Sequence, residues 1–497
     1  MSDNKVACLF IDDRHIESIE GLEKGVTAAA KISPEPLLRN DQPWESGWSI
    51  SYVNVMRDEQ DGRFKMWYNV GRRLGQERGQ EADSLAYAVS EDGLNWEKPI
   101  VNLVEDRGSK RNNLLFPFLR WAAGHGVIKD PLETDPDRRY KVLFMFQCEH
   151  MQFAGMVQPV CVGYSADGVH WDIPQHWVNP VIPEGSDTHL ASYWDPQLRR
   201  YVVILRGRPN VRIICMAESE DYLTWSPRRI VLQPDHLDPP QDHEFYGMTA
   251  MPYRDFRIGF LSVFHTLNES WIAQNQIEEW MPEWMNRMDI QLTYTTDGRS
   301  WHRAGNREPI LECGPRGSHD SGSVYPAHAP LLIDDEIWLY HTASNSLHGE
   351  PPRQGEEARW GINLAKIRKD RLVCLKTAQQ GVLTTTPIKV RPKRMGLPLG
   401  LDPRRLSLNA DARGGSIRVE VMDPFDRVLP GYGVDDCVPF SGDEVGHQVR
   451  WKGDSRSAGS TASGQGLESK MVSQSRGILK VRVYLENARL FALYFDQ

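Results

Sequence analysis

The sequence predicts an all-β protein, a five-bladed β-propeller followed by a C-terminal β-sandwich domain. Three observations support this prediction. A turn phrase occurs four times at regular spacing, an aromatic-rich strand pattern precedes each copy, and short alternating runs occupy the last quarter of the chain. Short repeated strands of this kind favour radial repetition of small sheets or the packing of two sheets face to face.

The turn phrase has the form Ser/Thr-x-Asp-Gly-x-x-Trp, with Tyr222 replacing the glycine in one copy. Its copies are Ser90–Trp96, Ser165–Trp171, Ser219–Trp225 and Thr295–Trp301. Asp-Gly supplies the positive φ angles of a tight hairpin turn, and the Trp opens the outgoing strand. The spacing of about 55 to 75 residues is enough for one four-stranded sheet per copy. We therefore expect the Asp and Trp of the phrase to be structural.

A second strand pattern lies upstream of each hairpin. Its copies are Arg63–Tyr68, Arg139–Phe144, Arg200–Leu205 and Phe256–Leu261. A fifth set of strand signals, Leu331–Tyr340 and Trp360–Ile367, lacks the Asp-Gly turn. Five such units predict a five-bladed propeller, in which radial repetition leaves only short, protected sheet edges.

Three domains follow from these patterns. Residues 1–40 are predicted to be an N-terminal extension, residues 41–377 the propeller and residues 378–497 the β-sandwich. Short strand patterns support the last assignment, above all Leu479–Leu485, which alternates with period two as a half-buried strand does. The sandwich could bind sugar or be purely structural, and the sequence does not favour one role over the other.

Composition excludes several classes of partner. The 497 residues are 40% hydrophobic and 25% charged, and the net charge of -9 comes without any basic run, which argues against nucleic acid and against an anionic membrane surface. No apolar run approaches transmembrane length and no signal peptide is recognisable, so we expect a cytoplasmic protein unless a signal has been removed. The 7 Cys are scattered without a C-x-x-C pair, and we expect neither disulfides, a metal site nor a cofactor.

Carboxylates gather at the predicted centre of the propeller. The first strand of each blade lines the central channel, and one carboxylate accompanies each of these five strands: Glu45, Asp130, Asp187, Glu244 and Asp320. A single acidic residue beside a strand is usually a solvated turn residue. Five in register around a narrow pit would repel one another and raise one another's pKa, a cost that a structural site would avoid.

Glycoside hydrolysis is the reaction that uses such an arrangement. A protonated carboxyl group donates to the leaving oxygen, and an ionised one activates water or attacks the anomeric carbon. Aromatic and histidine side chains near the entries would bind the sugar: Trp44, Trp48, His189, His243, Tyr246, His265 and His328. Each histidine taken alone is more often a structural residue. The predicted partner is therefore an oligosaccharide or glycoside, with the oligomeric state left open.

The hairpin phrase, together with Lys129-Asp130-Pro131 at the place of an Arg-Asp-Pro element, resembles the five-bladed propeller glycosidases of the invertase/levanase and arabinanase/β-xylosidase superfamily. The tail from about residue 401 to 495 is similar to the sandwich appended to bacterial relatives. The resemblance implies a nucleophile or base in blade one, a transition-state stabiliser at Asp130 and a Glu as acid, and an ion in the channel near His328 in some relatives. The chain lacks the Asn-Asp-Pro-Asn and Glu-Cys-Pro motifs, so Asp187 stands in blade three and Glu244 one blade later.

These observations together predict an exo-acting glycoside hydrolase that acts on a furanoside or an oligosaccharide. Glu244 is the expected acid, Glu45 or Asp187 the base or nucleophile, and Asp130 and Asp320 the stabilising groups. The alternatives are a non-catalytic carbohydrate-binding propeller, a propeller scaffold for protein partners, and a glycoside phosphorylase. A phosphorylase would need cationic side chains such as Arg206 and Arg208 to converge beside the acids.

Overall fold

The computed structural model describes twelve stretches of the chain. They are residues 5–46, 49–73, 81–120, 123–146, 159–173, 180–208, 211–239, 244–266, 286–348, 357–389, 406–452 and 478–496. The chain divides into two units. The first unit comprises Met1–Ala28, Ala304–Glu308 and Ile367–Gln497, and the second comprises Ala29–Arg303 and Pro309–Lys366. No helix within the described stretches is long and apolar enough to cross a membrane.

Five short strands and two short helices lie outside the repeated pattern. The strands are β1 (Lys5–Leu9), β2 (Ile16–Glu20), β3 (Glu23–Val26), β4 (Ala30–Lys31) and β5 (Leu38–Arg39). The helices are single 3-10 turns at Pro43–Glu45 and Pro136–Arg138. The first three strands belong to the first unit, whereas β4 and β5 belong to the second.

Three four-stranded antiparallel sheets follow along the chain. The first contains β6 (Ser49–Arg57), β7 (Phe64–Arg73), β8 (Glu81–Ser90) and β9 (Leu119–Arg120). The second contains β10 (Gly126–Lys129), β11 (Tyr140–Met145), β12 (Val160–Ser165) and β13 (Trp171–Asp172). The third contains β14 (Ser192–Asp195), β15 (Arg200–Gly207), β16 (Ile213–Ser219) and β17 (Arg229–Leu232). These sheets are the first three blades.

Blades four and five are joined by a single parallel contact between β20 and β23. Blade four contains β18 (Glu244–Tyr253), β19 (Phe256–His265), β20 (Arg287–Thr295), β21 (His302–Arg303) and β22 (Pro309–Leu311). Blade five contains β23 (Ser323–Pro326), β24 (Leu331–Ile333), β25 (Glu336–Ser344) and β26 (Trp360–Arg368). The early strands β4 and β5 pair with β26. The predicted N-terminal extension therefore supplies outer strands to the last blade.

The innermost strands of the five blades are neighbours around a ring. Backbone N–H groups join successive blades through four hydrogen bonds, namely Val127 to Asn54 Oδ1 (2.9 Å), Leu190 to Gly124 O (3.0 Å), Phe245 to Arg212 O (3.0 Å) and His328 to Val53 O (2.8 Å). The approach is close enough that a Cβ on Gly126 would overlap the carbonyl oxygen of Leu190. The second unit is thus a five-bladed β-propeller.

The repeated turn phrase has the structural role predicted for it. In the first copy Asp92 Oδ1 accepts from the N–H groups of Leu94 and Asn95, both at 2.8 Å, and the Trp96 indole donates to Gly93 O at 3.2 Å. The fourth position of the phrase has a positive φ in all four copies, between 66° and 80°. The aspartate and the residue of positive φ, which is glycine in three copies and Tyr222 in the other, therefore close the turn, while the Trp packs over it.

The first unit is built around one long strand. Its remaining strands are β27 (Val373–Thr385), β28 (Ile388–Lys389), β29 (Leu406–Asp411), β30 (Ser416–Met422), β31 (Asp443–Gln448) and β32 (Ile478–Asp496). The first half of β32 pairs with β30 and its second half with β29 and β1, while β27 pairs along both halves. Side chains from both halves enclose a single hydrophobic core, which gives a β-sandwich. The predicted sandwich at 378–497 thus gains β1, β2 and β3, whose partners lie at the other end of the chain.

Candidate active site

The side chains of Trp44 and Glu45 stabilise a turn. The Glu45 carboxylate is only 1% exposed, and it accepts from Tyr68 OH at 2.7 Å, Lys98 Nζ at 2.6 Å and Gln42 N at 3.1 Å. The Trp44 indole N–H donates to Asn113 Oδ1 at 2.7 Å. The structure thus places both side chains in contacts that anchor the turn before β6.

Asp130 lies at the opposite end of its inner strand from the predicted entry. It directly follows β10, whereas Glu244 begins β18 and Asp187 and Asp320 precede their strands. Its buried carboxylate is ion-paired with Lys141 and accepts from Tyr201 OH, in the next blade, at 2.8 and 2.9 Å. This position separates Asp130 from the other predicted carboxylates.

The contacts of Asp130 recur in two other blades. Asp58 follows β6 and accepts from Tyr140 OH of the next blade at 2.6 Å. Asp195 ends β14 and receives two hydrogen bonds of 2.6 Å from Arg257 of the next blade. An aspartate at the end of an inner strand therefore links each of the first three blades to its successor. We name these three carboxylates the interblade aspartates.

At the entry end, two carboxylates from neighbouring blades each meet an arginine. Asp187, in the segment before β14, pairs with the buried guanidinium of Arg206. Glu244, the first residue of β18, accepts from Arg212 Nη1 at 2.8 Å and from Arg212 N at 3.1 Å. The Asp187 side chain is 58% exposed and that of Glu244 13% exposed. Both charges are compensated, and the Asp187 carboxylate remains accessible to water.

Two tyrosines, the buried Tyr246 and the half-buried Tyr52, lie next to these ion pairs. Tyr52, at a bulge of β6, has a left-handed backbone with φ 48°, which is uncommon for a bulky residue. Its hydroxyl lies 3.3 Å from that of Tyr246, and the Arg206 guanidinium lies 4.8 Å from the centroid of the Tyr246 ring. Burial raises the pKa of both hydroxyl groups, so both remain protonated and can donate hydrogen bonds. Strain at an aromatic residue is common at binding sites.

Asp320 and His265 have partners of their own. The buried Asp320 pairs with Lys31 and accepts from Ser318 Oγ at 2.6 Å; burial opposes its charge, but these contacts hold its pKa below the ordinary value. His265 Nε2 lies 2.8 Å from Asp289 Oδ2. Sequence reasoning missed Asp289, because a polar residue alternating with apolar ones on a strand is an ordinary surface pattern. Its contact with His265 depends on the pairing of β19 and β20.

Neutral histidines occupy the centre of the ring. His189 Nε2 donates to His125 O at 3.0 Å, and His328 Nε2 donates to Ser192 O at 2.7 Å, since a carbonyl oxygen can only accept. The two imidazole rings are 5.5 Å apart. Burial lowers the pKa of His328 to about 4, outweighing its hydrogen bond to Ser192, and lowers the pKa of His189 well below its ordinary value. Both histidines are therefore uncharged at neutral pH.

These histidines predict a loss of stability in mild acid. Below pH 6.5 the unfolded chain protonates its histidines, while folded His328 remains neutral until about pH 4. The free energy of unfolding should therefore fall as pH decreases through this window, by up to about 1.4 kcal/mol per pH unit for each such histidine. Urea unfolding at pH 4.5 to 7 should show a shallower slope for His328→Gln than for the wild type. An unchanged slope would contradict the prediction.

Two of the predicted site residues, Trp48 and His243, lie outside the described residues, as does the aromatic segment 271–284. No group of three or more His, Cys, Asp and Glu side chains within the described stretches is arranged to hold a metal ion.

No protein-family model and no curated protein matches the sequence. Among solved structures, the chain is similar to an N-acetylgalactosamine deacetylase from F. plautii in complex with blood group B trisaccharide, at 15% identity over 71% of this chain and 97% of that chain, with a TM-score of 0.45. It is also similar to a β-1,2-mannobiose phosphorylase from Listeria innocua, at 11% identity over 69% of this chain and 99% of that chain, with a TM-score of 0.47. A third similar structure is a glycosyl hydrolase from Bacteroides ovatus, at 13% identity over 68% of this chain and 94% of that chain, with a TM-score of 0.45. Similarity at this level does not identify an activity for this chain.

Proposed function

We propose that the propeller unit is a glycoside hydrolase whose substrate is an oligosaccharide or a simple glycoside. The observation that supports this most strongly is the pair of carboxylates at the entry end, Asp187 and Glu244, on neighbouring blades and beside two tyrosines. Glycoside hydrolysis commonly requires two carboxyl groups flanking one bond. The other three predicted candidates, Glu45, Asp130 and Asp320, are buried and already paired with lysines.

The two carboxylates differ in solvent exposure, and this difference favours a different catalytic role for each. Glu244 lies mostly covered at the start of β18, held from one side by Arg212. As the general acid it would act in the protonated form, take its proton from water in each cycle and deliver that proton to the leaving oxygen. Asp187 is more open to solvent and would either activate water or attack the anomeric carbon. The guanidinium groups fix the direction of each carboxylate, and such positioning is a large part of catalysis by acid and base groups.

The tyrosine hydroxyl groups would bind the sugar. Tyr52 and Tyr246 remain protonated, so they can donate to sugar hydroxyl oxygens, and the ring of Tyr246 stands beside Arg206. Because burial fixes the Tyr246 ring, little of its side-chain entropy is lost when a sugar binds. The proposal includes specificity for furanosides and exo action, and defined substrates would test both.

A glycoside phosphorylase is the second candidate, and one observation favours it. Arg206 and Arg212 lie beside Asp187 and Glu244, and two guanidinium groups near the acids could hold inorganic phosphate. Arg208, named with Arg206 in the sequence-based expectation, is exposed. In a phosphorylase, phosphate would replace water as the attacking group.

The test is product analysis with a panel of p-nitrophenyl glycosides and natural oligosaccharides. For the hydrolase, free sugar is released in phosphate-free buffer, and phosphate leaves the rate unchanged. A sugar phosphate formed only when phosphate is present would support the phosphorylase. Sugar binding by calorimetry without any turnover across the panel would contradict both and favour a carbohydrate-binding propeller.

A further inference from the structure

The sandwich unit contains a cleft where its strands change direction together. The pairing of β27 with β32 shifts register between Thr377 and Gln380, and Asn487 in the middle of β32 has a left-handed φ of 41°. Gly21, between β2 and β3, also has a positive φ of 61°. These segments, with the turn after β29, enclose a cleft of about 680 Å³. This volume is within the range of about 300 to 1,000 Å³ that small-molecule sites occupy.

The lining of this cleft is polar. None of the described residues that line it is aromatic, and the largest aliphatic side chain among them is that of alanine. The charged and amide side chains of the lining are three cations, two acids and three amides, namely Lys376, Arg413, Arg489, Glu23, Asp411, Gln379, Gln380 and Asn487. Without an aromatic face, the cleft is not suited to stacking on a neutral sugar ring. Cations and amides instead suit an anionic group surrounded by hydroxyl groups.

Two of the cations face each other across a pair of strands, and Arg489 is the less compensated of the two. Lys376 and Arg489 lie directly opposite in the antiparallel pair of β27 and β32, so their side chains point to the same face. Like charges at such positions are destabilising. The carboxylate of Asp411, also opposite Arg489, is engaged by Arg413 at 2.8 and 2.9 Å. Glu23 of β3 lies directly opposite Lys376, and Glu308 forms an ion pair with Lys376 at 3.9 Å. Arg489 makes no hydrogen bond or ion pair with any described residue, and its charge is balanced only by electrostatic attraction to Asp411.

We propose that this cleft binds an acidic oligosaccharide, with a carboxylate or sulfate group of the sugar between Lys376 and Arg489. An anion there would remove the repulsion between the two side chains, and Arg can hold it through two parallel hydrogen bonds. The amides of Gln379 and Gln380 would then hydrogen-bond the neighbouring sugar hydroxyls. The choice of a sugar rests on the proposed function, whereas the choice of an anion rests on the charges of the cleft. The net charge of -9 opposes non-specific attraction to polyanions.

The test is affinity electrophoresis of the full chain in gels containing polygalacturonate, dextran sulfate or neutral dextran. We expect retardation by one or both anionic polymers and none by dextran; the two anionic gels distinguish a carboxylate from a sulfate ligand. Arg489→Gln and Lys376→Gln should each weaken retardation about tenfold, as expected for a lost charge-assisted hydrogen bond. The control is Arg418→Gln, the same change of charge at an exposed position on β30 outside the cleft.

Equal weakening in Arg418→Gln, equal retardation by dextran, or no retardation of the wild type would overturn the proposal. The thermal midpoint of Arg489→Gln should equal or exceed that of the wild type, because the substitution removes the repulsion from Lys376; a clear decrease would indicate a structural role. Binding is measured without turnover, so it remains interpretable even if no glycoside is hydrolysed. Where hydrolysis of small glycosides occurs, these variants should retain it in full.

Discussion

Glu244→Gln and Asp187→Asn are each expected to lower kcat by about 10² to 10⁴, the usual contribution of one general acid or base. In Glu244→Gln, the oxygen of the introduced amide can still accept from Arg212 N and Nη1, so the local geometry survives while the transferable proton is lost. KM should change little for either variant, because a defect confined to the transition state lowers kcat and kcat/KM together. Steady-state kinetics with the best substrate of the panel measures both values.

The choice of leaving group distinguishes the role of Glu244 as general acid from the role of Asp187 as base or nucleophile. A dinitrophenyl leaving group needs no protonation, so Glu244→Gln should recover most of its rate on a dinitrophenyl glycoside, whereas Asp187→Asn should not. Asp130→Asn is the matched control, since it makes the same change of charge in a carboxylate at the other end of the inner strand. It should lower stability but leave kcat per folded molecule near the wild-type value. The assignment fails if Asp130→Asn loses turnover while Glu244→Gln and Asp187→Asn retain it.

The blades could be predicted from sequence because their signals are local. Each turn phrase closes its own hydrogen bonds within three residues, as Asp92 does with Leu94 and Asn95. Strands β4 and β5 have two residues each and contain no periodicity, so their place in the last blade was not visible. In the sandwich, β1 pairs with residues 492–496, and no pattern within β1 specifies a partner at the far end of the chain.

The site was predicted only in part, for a related reason. A carboxylate before an inner strand is visible in the sequence, and Asp187 and Glu244 both lie at the entry end. Whether such a group is accessible depends on partners far along the chain. Lys98 lies 53 residues from Glu45, and Tyr201 lies 71 residues from Asp130. Lys129-Asp130-Pro131 resembles a catalytic element in sequence, but the contacts of Asp130 match those of the other interblade aspartates, Asp58 and Asp195.

Arg257→Met is expected to lower the free energy of unfolding of the propeller by about 3 to 5 kcal/mol, the usual cost of removing one partner of a buried ion pair. Arg257 is 2% exposed and Asp195 is fully buried, and their two hydrogen bonds of 2.6 Å are supplemented by Arg257 Nη1, which donates to Gln197 Oε1 at 2.7 Å. The substitution leaves the Asp195 charge buried without its partner. Urea denaturation followed by tryptophan fluorescence measures the loss.

Arg39→Ala is the control for the Arg257 measurement. Its pair with Glu35 joins side chains that are 57% and 64% exposed, and breaking such a surface pair costs at most about 1 kcal/mol. Combining Asp195→Leu with Arg257→Met should recover part of the loss, because no buried charge then remains unpaired. A cost below about 1 kcal/mol for Arg257→Met would remove the energetic basis for treating the interblade aspartates as structural links. Asp130 would then return as a candidate for catalysis, because its burial with Lys141 and Tyr201 would no longer be explained by stability.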